Sequence, residues 1–336
     1  MFEKLDINKL FKKFKKYKIL IIGDVMIDTY LWGRVDRVSP EAPVPIVANV
    51  HEEKRLGGAA NVALNVKAMG AVPILCSVIG EDKRGQEFID LLNLQNLSDV
   101  GIQFDSNRIT TQKTRVISGN QHLLRVDEEI DDYINSSNEK RMVDFVHNTV
   151  TEGKIDSIIF QDYDKGVITP TLIKEVMKIA LKNKVPVLVD PKKRNFHLYE
   201  KATLFKPNFK ELTQGLETEL DRHNSIEIAT VMENLRAAKQ HKMVMVTLSE
   251  LGIIINDKNE YHQVTAEIRD IADVSGAGDS VISVASLCIS AGLSPIEIAA
   301  MSNIAGGQVC ERAGVVPVDS KQFIGELKAI IEHKKT

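Results

Sequence analysis

Residues 273–289 read DVSGAGDSVISVASLCI, in which two glycines and a carboxylate stand directly before an apolar, helix-like run. Glycines in this position expose backbone N–H groups at the positive end of a helix, which makes a cradle for an anion. Asp279 follows the cradle. A base beside an anion-binding site can catalyse the transfer of a phosphoryl group to a hydroxyl. For the glycines alone, a helix start with a tight turn is the alternative.

Short apolar runs alternate with helical patterns along most of the chain. The apolar runs cover residues 19–22, 74–79, 157–160, 185–189, 243–248 and 253–255, and the helical patterns cover 59–69, 85–94, 171–182 and 226–239. This alternation predicts an α/β fold, a doubly wound and mainly parallel sheet with helices on both faces. Residues 30–55 and 101–127 lack the alternation and contain extended pieces, so we expect them to form a small β lid.

Composition excludes several classes of protein. The 336 residues are 43% hydrophobic and 26% charged with a net charge of −3, which disfavours disorder and a nucleic-acid binder. No apolar run approaches the ~20 residues of a membrane span, and the first residues lack the pattern of a secretory signal. Cys76, Cys288 and Cys310 are far apart in apolar surroundings, so we expect free thiols and a cytoplasmic location.

The usual nucleotide-binding motifs are missing. The dinucleotide fingerprint G-x-G-x-x-G does not occur. Residues 80–87 have the glycine spacing of a P-loop, but Gln86 and Glu87 stand where its lysine and hydroxyl residue belong. Protein-kinase landmarks are also absent. A hydride-transfer enzyme and a P-loop ATPase are therefore disfavoured.

A second glycine turn precedes another helical pattern, at Gly57 and Gly58. Adjacent glycines permit close approach of the backbone, and Asn61 can both donate to and accept from a sugar hydroxyl. On its own this stretch is explained equally well by a tight turn before a helix.

Together, the two turns resemble the two signatures of the ribokinase-type carbohydrate kinases. Residues 56–61 (LGGAAN), with Gly70 and Gly80 downstream, resemble the first signature, and residues 273–279 resemble the second. The resemblance runs from about residue 18 to residue 318. A narrower resemblance, to the kinases that phosphorylate D-glycero-D-manno-heptose 7-phosphate at O1, is carried by residues 23–28 (GDVMID), 37–45 (RVSPEAPVP), 113–115 (KTR), 121–127 (QHLLRVD), 162–166 (DYDKG), 190–192 (DPK) and 247–250 (TLSE).

The narrower resemblance implies an ATP-dependent kinase in the synthesis of heptose for lipopolysaccharide or another surface glycan. Another acceptor, such as ribose, fructose or a hexose phosphate, is the near alternative, and a non-catalytic sugar-binding module is the distant one. Either anomer of the heptose is compatible with the motifs. We expect residues 1–336 to form a single kinase domain without the adenylyltransferase domain that many relatives carry.

The resemblance also implies roles for particular residues. Asp279 would be the general base, and the backbone N–H groups of Gly276, Ala277 and Gly278 would stabilise the transferring phosphoryl group. Substrate would be bound by Asp24, Gly57, Gly58, Asn61, Arg115, Lys165, Asp190 and Lys192. The nucleotide and its phosphates would be met by Asn208, Phe209, Lys210, Glu211, Thr247, Ser249, Gly252 and Asn303. Glu211 would organise Mg²⁺ through water, since magnesium keeps several waters and needs few protein carboxylates.

The expected ligands are therefore ATP, Mg²⁺ and a sugar phosphate, and some members of the family also hold K⁺ beside residues 273–279. By the same resemblance we expect a homodimer formed through the lid. The acceptor's own phosphate needs charged donors. Candidates in the lid are Arg34, Arg37, Lys113, Arg115 and Arg125, with Lys165, Lys192 and Arg194 competing, although surface solvation explains the lid cations equally well.

Overall fold

The computed structural model describes residues 2, 5–119, 121–258 and 260–333. Within them the strands are β1 Lys18–Gly23, β2 Val25–Val38, β3 Pro45–Gly58, β4 Val72–Gly80, β5 Ile102–Asp105, β6 Gln112–Ser118, β7 Gln121–Glu128, β8 Ser157–Gln161, β9 Val187–Asp190, β10 Leu204–Phe205, β11 Met243–Thr247, β12 Ile253–Asn256 and β13 Tyr261–Val264. The helices are α1 Ile7–Phe14, α2 Ala59–Ala68, α3 Lys83–Leu94, α4 Ser136–Gly153, α5 Pro170–Asn183, α6 Phe209–Leu216, α7 Ser225–Ala238, α8 Ala277–Ala291, α9 Pro295–Cys310 and α10 Ser320–His333.

The larger sheet has the strand order β13-β12-β11-β10-β9-β8-β1-β4-β5. All pairs from β11 to β5 are parallel, whereas β12 and β13 pair antiparallel at one edge. The mainly parallel sheet predicted from the apolar runs is confirmed. The sheet direction reverses at β12 because only residues 248–252 separate it from β11, too few for a crossover between parallel strands.

Helices cover both faces of this sheet, and β1 shows why. Its residues alternate between two separate cores: Ile19 and Ile21 pack with the cluster that includes α2, α8 and α9, while Leu20 and Ile22 pack with the cluster that includes α4, α5 and α7. A strand that is buried on both faces must be apolar at every position, and all four of these side chains are fully buried.

The lid is a separate four-stranded sheet with the order β3-β2-β6-β7, and β2 follows β1 after the single residue Asp24. Its bounds differ from the expected 30–55 and 101–127. The lid begins at Val25, and residues 102–105 form the edge strand β5 of the larger sheet, paired with β4. Four residues are too few to show an alternating pattern, so the sequence could not separate β5 from the lid.

In the larger sheet, β4 lies on one side of β1 and β8 lies on the other side. The strand order therefore reverses at β1, and a crevice opens beyond the carboxyl ends of β1 and β8. Ligands of open α/β sheets bind at such a reversal. Gly23 ends β1 there, and a Cβ at this position would overlap the carbonyl oxygen of Gln161. The close approach of the two strands therefore requires glycine at residue 23.

Helix α1 docks on the body of the protein. Leu10 and Phe14 are buried, and the ring of Phe11 lies 5.2 Å from that of Phe14 and 6.2 Å from that of Phe323. The lysines of α1 face outward, as expected for an amphipathic docking helix. Among the described residues, no helix combines the length and the apolar character that crossing a membrane requires.

Stability should depend on the sheet core and not on exposed apolar residues. Ile159, on the central strand β8, is fully buried, whereas Ile226 on α7 is 68% exposed. We expect Ile159→Ala to lower the free energy of unfolding by about 2–5 kcal/mol, because it leaves a cavity between packed layers. Ile226→Ala should change it by less than about 0.5 kcal/mol. Urea unfolding measures both, and similar losses in the two variants would contradict this account of the core.

Candidate active site

The carboxylate of Asp279 lies in the first turn of α8 and is 2% exposed. Three side chains from separate parts of the chain donate to it. Asn61 Nδ2 lies 2.7 Å from Oδ2, while the Tyr163 hydroxyl and Gln161 Nε2 lie 2.7 Å and 3.1 Å from Oδ1. The residue predicted to be the base is thus held by α2, by the end of β8 and by the loop that follows β8.

Burial raises the pKa of Asp279 to about 7. The hydrogen bonds from Asn61 and Tyr163 and the nearby cation Lys206 oppose this rise, whereas the neighbouring carboxyl of Asp190 adds to it. A carboxyl group with a pKa near the working pH can both accept and release a proton, which is the property a general base needs.

The backbone that was predicted to form an anion cradle lies beside Asp279. Gly276, the N-cap residue of α8, has φ 81°, and in the described part of the chain no side chain caps this helix. The first-turn N–H groups of Gly278 and Asp279 have no acceptor within the helix, because the first turn of any helix lacks one. The Ala277 N–H donates to the carbonyl of Val274 at 3.3 Å, so it is partly used. The first-turn donors available to an anion are therefore the N–H groups of Gly278 and Asp279.

A buried ion pair borders the cradle. Lys206 Nζ lies 3.0 Å from Asp190 Oδ2, and both side chains are almost fully buried. A Cβ at Gly278 would lie 3.7 Å from both of these atoms, and Gln161 Nε2 donates to the same oxygen of Asp190 at 3.2 Å. Sequence reasoning named Asp190 but missed Lys206 and Gln161. Each directly follows or ends an apolar strand, which was the available signal.

Asn208 and Glu211 form the capping box of α6. Asn208 Oδ1 accepts the Glu211 N–H at 2.8 Å, and Glu211 Oε2 accepts the Asn208 N–H at 2.8 Å. Lys192 also donates to Glu211, on Oε1. Asn208 and Glu211 thus have a structural use as a helix cap, yet each carboxylate oxygen of Glu211 keeps a lone pair that can accept a hydrogen bond from a metal-bound water.

The other residues expected at the nucleotide lie along the same edge of the sheet. Asn208 forms a β-bridge with Thr247, the last residue of β11. Gly252 has φ 88°, and a Cβ there would overlap the carbonyl oxygen of Val264. The remaining ones are Ser249 after β11, Phe209 and Lys210 in the first turn of α6, and Asn303 of α9, whose Nδ2 donates to the carbonyl of Thr265.

Two residues expected to bind sugar have side chains that form hydrogen bonds with other parts of the protein. Asp24 is 1% exposed, and its carboxylate accepts the backbone N–H groups of Tyr163, Lys165 and Val167 at 2.9, 3.2 and 2.9 Å. Asn61 is the other, since its amide donates to Asp279. The structure therefore places Asp24 beneath the loop after β8, with its pKa raised by burial against those three hydrogen bonds.

Asp28 is the carboxylate that borders the glycine turn. It is 2% exposed and paired with Arg115, whose guanidinium also lies 5.4 Å from the centre of the Tyr30 ring. A Cβ on Gly57 would overlap Asp28 Oδ2, so the glycine is needed for this approach. Asp24 and Asp28 are the two carboxylates of the stretch 23–28, and the sugar-binding role was predicted for Asp24. Which of the two borders the glycine turn depends on the strand register.

The basic residues considered for a phosphate clamp are mostly paired with acids. Lys113 Nζ lies 2.9 Å from Asp127 and 2.7 Å from Glu129, and Lys165 Nζ lies 2.8 Å from the other oxygen of Glu129. Further pairs join Arg34 to Asp36, Arg125 to Asp127 and Arg194 to Asp131 and Asp164. Lys113 and Lys165, both more than four-fifths buried, thus converge on one carboxylate from the lid and from the core.

Comparison with known proteins identifies a family. The model of the pfkB family of carbohydrate kinases matches residues 16–321. Among curated proteins, the bifunctional protein HldE of Helicobacter pylori strain J99 is 39% identical over 297 residues, which are 88% of this chain and 63% of that protein. HldE of Pelobacter propionicus is 34% identical over 323 residues, 96% of this chain and 65% of its own length. The chain thus spans less than two thirds of these relatives.

Solved structures share the fold at low sequence identity. Phosphofructokinase-2 from Escherichia coli, in complex with potassium, superposes with a TM-score of 0.76 at 17% identity, over 94% of this chain and 99% of the other. Ribokinase from Arabidopsis thaliana, complexed with ribose and ATP, gives a TM-score of 0.71 at 17% identity, over 93% and 98%. The expected ribokinase-like fold class is confirmed by these neighbours.

The buried carboxyl of Asp279 should make stability depend on pH. Its pKa is about 7 in the folded protein and near 3.8 when exposed, so between these values the folded state binds a proton that the unfolded state has lost. This contribution is complete near pH 4 and is lost as pH rises to 7. We expect Asp279→Asn to gain stability relative to the native protein as pH rises from 5 to 8, by about 1.4 kcal/mol for each pH unit below the folded pKa.

Urea unfolding at several pH values measures this difference directly. The control is Asp144→Asn, an exposed position on α4, which should follow the native protein at every pH. An identical pH dependence of unfolding in the native protein and in Asp279→Asn would show that Asp279 has an ordinary pKa.

Proposed function

The chain belongs to the pfkB family of carbohydrate kinases, and on that premise we propose that it transfers the γ-phosphoryl group of ATP to O1 of D-glycero-D-manno-heptose 7-phosphate. Family membership makes it an ATP-dependent sugar kinase. The heptose assignment is supported by the stretches of residues 23–28, 37–45 and 162–166, and by 34–39% identity to HldE proteins over most of the chain. The observation that carries the chemistry is the buried Asp279 beside an uncapped helix start.

In the proposed reaction the acceptor hydroxyl lies against Asp279. The carboxylate takes the hydroxyl proton while the hydroxyl oxygen forms a bond to the γ-phosphorus and the bond from that phosphorus to the bridging oxygen breaks. ADP leaves with the bridging oxygen, so one proton moves to the enzyme for each phosphoryl group transferred. The near-neutral pKa of Asp279 suits it to give up that proton to solvent in each cycle.

The cradle would stabilise negative charge on the phosphoryl group during its transfer. The N–H groups of Gly276 and Gly278 and the positive end of α8 offer fixed donors, which need no rearrangement during the reaction. Lys206 adds a positive charge beside Gly278. Because this lysine is also paired with Asp190, its ammonium group is held in place before a ligand arrives.

Magnesium would neutralise charge on the phosphates when it is bound. In the described part of the chain, no three acidic, histidine or cysteine side chains are grouped closely enough to hold a metal ion by themselves. This fits an ion that takes most of its ligands from water and substrate phosphates. We propose that Glu211, fixed by Asn208 and Lys192, accepts hydrogen bonds from the waters of that ion.

For the acceptor's own phosphate we propose the site at Lys113 and Lys165. Each of the two ammonium groups already contacts a different oxygen of the Glu129 carboxylate, so an anion of similar size can bridge the two lysines. A phosphate dianion carries twice the charge of that carboxylate and offers more acceptor atoms. Displacement of Glu129 by the 7-phosphate would join the lid to the loop after β8 across the bound sugar.

We also propose a homodimer formed through the lid. The lid region exposes apolar side chains at Val35, Val38, Val50, Leu124 and Val126, which are 36–63% exposed. Covering such side chains stabilises an association by about 25 cal/mol for each Å² of apolar surface removed from water. A second copy of the lid offers a surface of the same kind.

The base is tested by Asp279→Asn, which keeps the size of the side chain and removes the proton acceptor. We expect kcat to fall by ~10²–10⁴-fold, the usual value of positioned base catalysis. Turnover is measured as ADP release with heptose 7-phosphate, and thermal unfolding establishes that the variant is folded. Asp144→Asn should retain full activity. Near-native turnover in folded Asp279→Asn would remove Asp279 from the role of base.

The substrate is tested by comparing kcat/KM for heptose 7-phosphate, fructose 6-phosphate, fructose and ribose. Two or three charge-assisted hydrogen bonds of roughly 1.5–3 kcal/mol each should favour the phosphorylated heptose over unphosphorylated sugars by at least ~10²-fold. Lys113→Met and Lys165→Met should erase much of this preference and leave the slow rate with fructose nearly unchanged.

The matched control is Lys174→Met, an exposed lysine on α5 that should leave the preference intact. Equal or better use of an unphosphorylated sugar would overturn the heptose assignment. Loss of rate with every sugar in Lys113→Met and Lys165→Met would instead show that the two lysines support the lid and do not select the phosphate.

A further inference from the structure

Tyr163 lies in the stretch 162–166 and contacts the proposed base, yet neither the resemblance nor the proposed mechanism gives this side chain a role. Its hydroxyl donates to Asp279 Oδ1 at 2.7 Å, across a sequence separation of 116 residues. The ammonium group of Lys192 lies 5.5 Å from the centre of its ring. The side chain therefore stands between the glycine-rich start of α8 and the residues at the end of β9.

The loop that carries Tyr163 is held by two charged side chains, the buried Asp24 and the partly buried Arg108. From below, the Asp24 carboxylate accepts the N–H groups of Tyr163, Lys165 and Val167. From the side, Arg108 donates to the carbonyl of Lys165 and to those of the segment before α4, at Ile130 and Asp132.

Gly166 adds a steric reason for the path of this loop. It has φ 83°, and a Cβ there would overlap the carbonyl oxygen of Asp132. Because the backbone from Tyr163 to Val167 is held in this way and the hydroxyl already donates to Asp279, the position of that hydroxyl is set before any ligand binds. The ordering cost has already been met by folding, which is the condition for precise positioning.

The two oxygens of Asp279 are not equivalent. Oδ1 accepts from both Tyr163 and Gln161, whereas Oδ2 accepts only from Asn61 among the described residues. A carboxylate oxygen has two lone-pair sites, so Oδ1 is saturated and Oδ2 keeps one site open. The open site is the place where a proton can be accepted.

We propose that Tyr163 is a positioning residue for the base: its hydroxyl occupies Oδ1, turns the free lone pair of Oδ2 toward the acceptor hydroxyl, and stabilises the ionised carboxylate. The proposal rests on the proposed role of Asp279. In the transfer step the hydroxyl proton goes to Oδ2, the hydroxyl oxygen bonds to phosphorus, and ADP takes the electron pair of the broken bond. Tyr163 keeps its own proton throughout.

The charged groups around Asp279 are consistent with Asp279 acting as the base and Tyr163 as a hydrogen-bond donor to it. Burial and the neighbouring Asp279 raise the pKa of Tyr163 well above its ordinary value, so the tyrosine stays a neutral donor. In the part of the chain that the structure describes, the other charged groups that interact with Asp279 are Asp190, Lys206 and Lys192. Since they remain in place when the hydroxyl is removed, any change in the titration of Asp279 reports the lost hydrogen bond.

The test is Tyr163→Phe, which removes one oxygen atom and keeps the ring. The measurement is kcat/KM against pH, with the acid limb reporting the ionisation of the base. We expect that limb to move to higher pH by about one to two pH units, the equivalent of one charge-assisted hydrogen bond. Activity below pH 6 should fall roughly 10–100-fold, and it should largely recover near pH 9.

Tyr133→Phe is the matched control, because its hydroxyl donates to the neutral Asn195 and not to Asp279. It should leave the acid limb unchanged. An unchanged profile in Tyr163→Phe would overturn the proposal, and so would a loss of activity that is equal at every pH, since that result describes a structural role.

A second readout does not depend on the substrate. In protein labelled with ¹³C at the aspartate carboxyl carbons, the Asp279 resonance is identified by its absence in Asp279→Asn. We expect its titration midpoint to rise by the same one to two pH units in Tyr163→Phe. If heptose 7-phosphate proves not to be the acceptor but the midpoint still rises, the proposed substrate fails and the role of Tyr163 stands. If the midpoint does not move, the role of Tyr163 fails.

Discussion

The hydrogen bonds that converge on the Asp279 carboxylate are the interaction on which the rest of the structure depends. They join the start of α8 to helix α2, to the end of β8 and to the loop after β8, and the three donor residues lie 116–218 residues from Asp279 in the sequence. A buried carboxylate without such donors would take up a proton, so the ionised form of Asp279 depends on these elements meeting within hydrogen-bond distance. Glycine is required at residues 23, 57 and 166 for a related reason. At each of these positions a backbone or carboxylate oxygen near the crevice lies where a Cβ would be.

Burying acids near one another also stores electrostatic strain. Burial raises the pKa of Asp162 to about 7, and the neighbouring Asp24 adds to the rise, while Asn195 and the backbone of the loop counter it. Asp190 is stabilised by Lys206 and Asp24 by three backbone donors. The protein therefore keeps four carboxyl groups in a poorly hydrated region at a cost in stability that an apolar core would avoid. This arrangement fixes the base, the loop with Tyr163 and the ion pair beside the cradle before ligands bind. Electrostatic catalysis needs groups that are positioned in advance in this way.

The sequence predicted what depends on local pattern. The apolar runs located β1, β4, β8, β9, β11 and β12 but missed the short strands β5 and β10, and the glycines before α2 and α8 marked both turns. What it could not predict depends on contacts between distant residues. Gln161 and Lys206 carry no motif of their own, and they matter because adjacent strands end beside each other. The choice between Asp24 and Asp28 depends on where β1 passes into the lid, and the pairing of Lys113 with Lys165 through Glu129 depends on how the lid sits against the core.

We propose that this crevice transfers a phosphoryl group from ATP to the anomeric oxygen of a phosphorylated heptose. Phosphorus NMR of the products formed from ATP, Mg²⁺ and D-glycero-D-manno-heptose 7-phosphate labelled with ¹³C at C1 tests it most directly. We expect one new phosphate resonance coupled to the labelled carbon, appearing in step with ADP, alongside an unchanged 7-phosphate resonance. Release of inorganic phosphate without a carbon-coupled product, or a new phosphate on any other carbon, would contradict the claim.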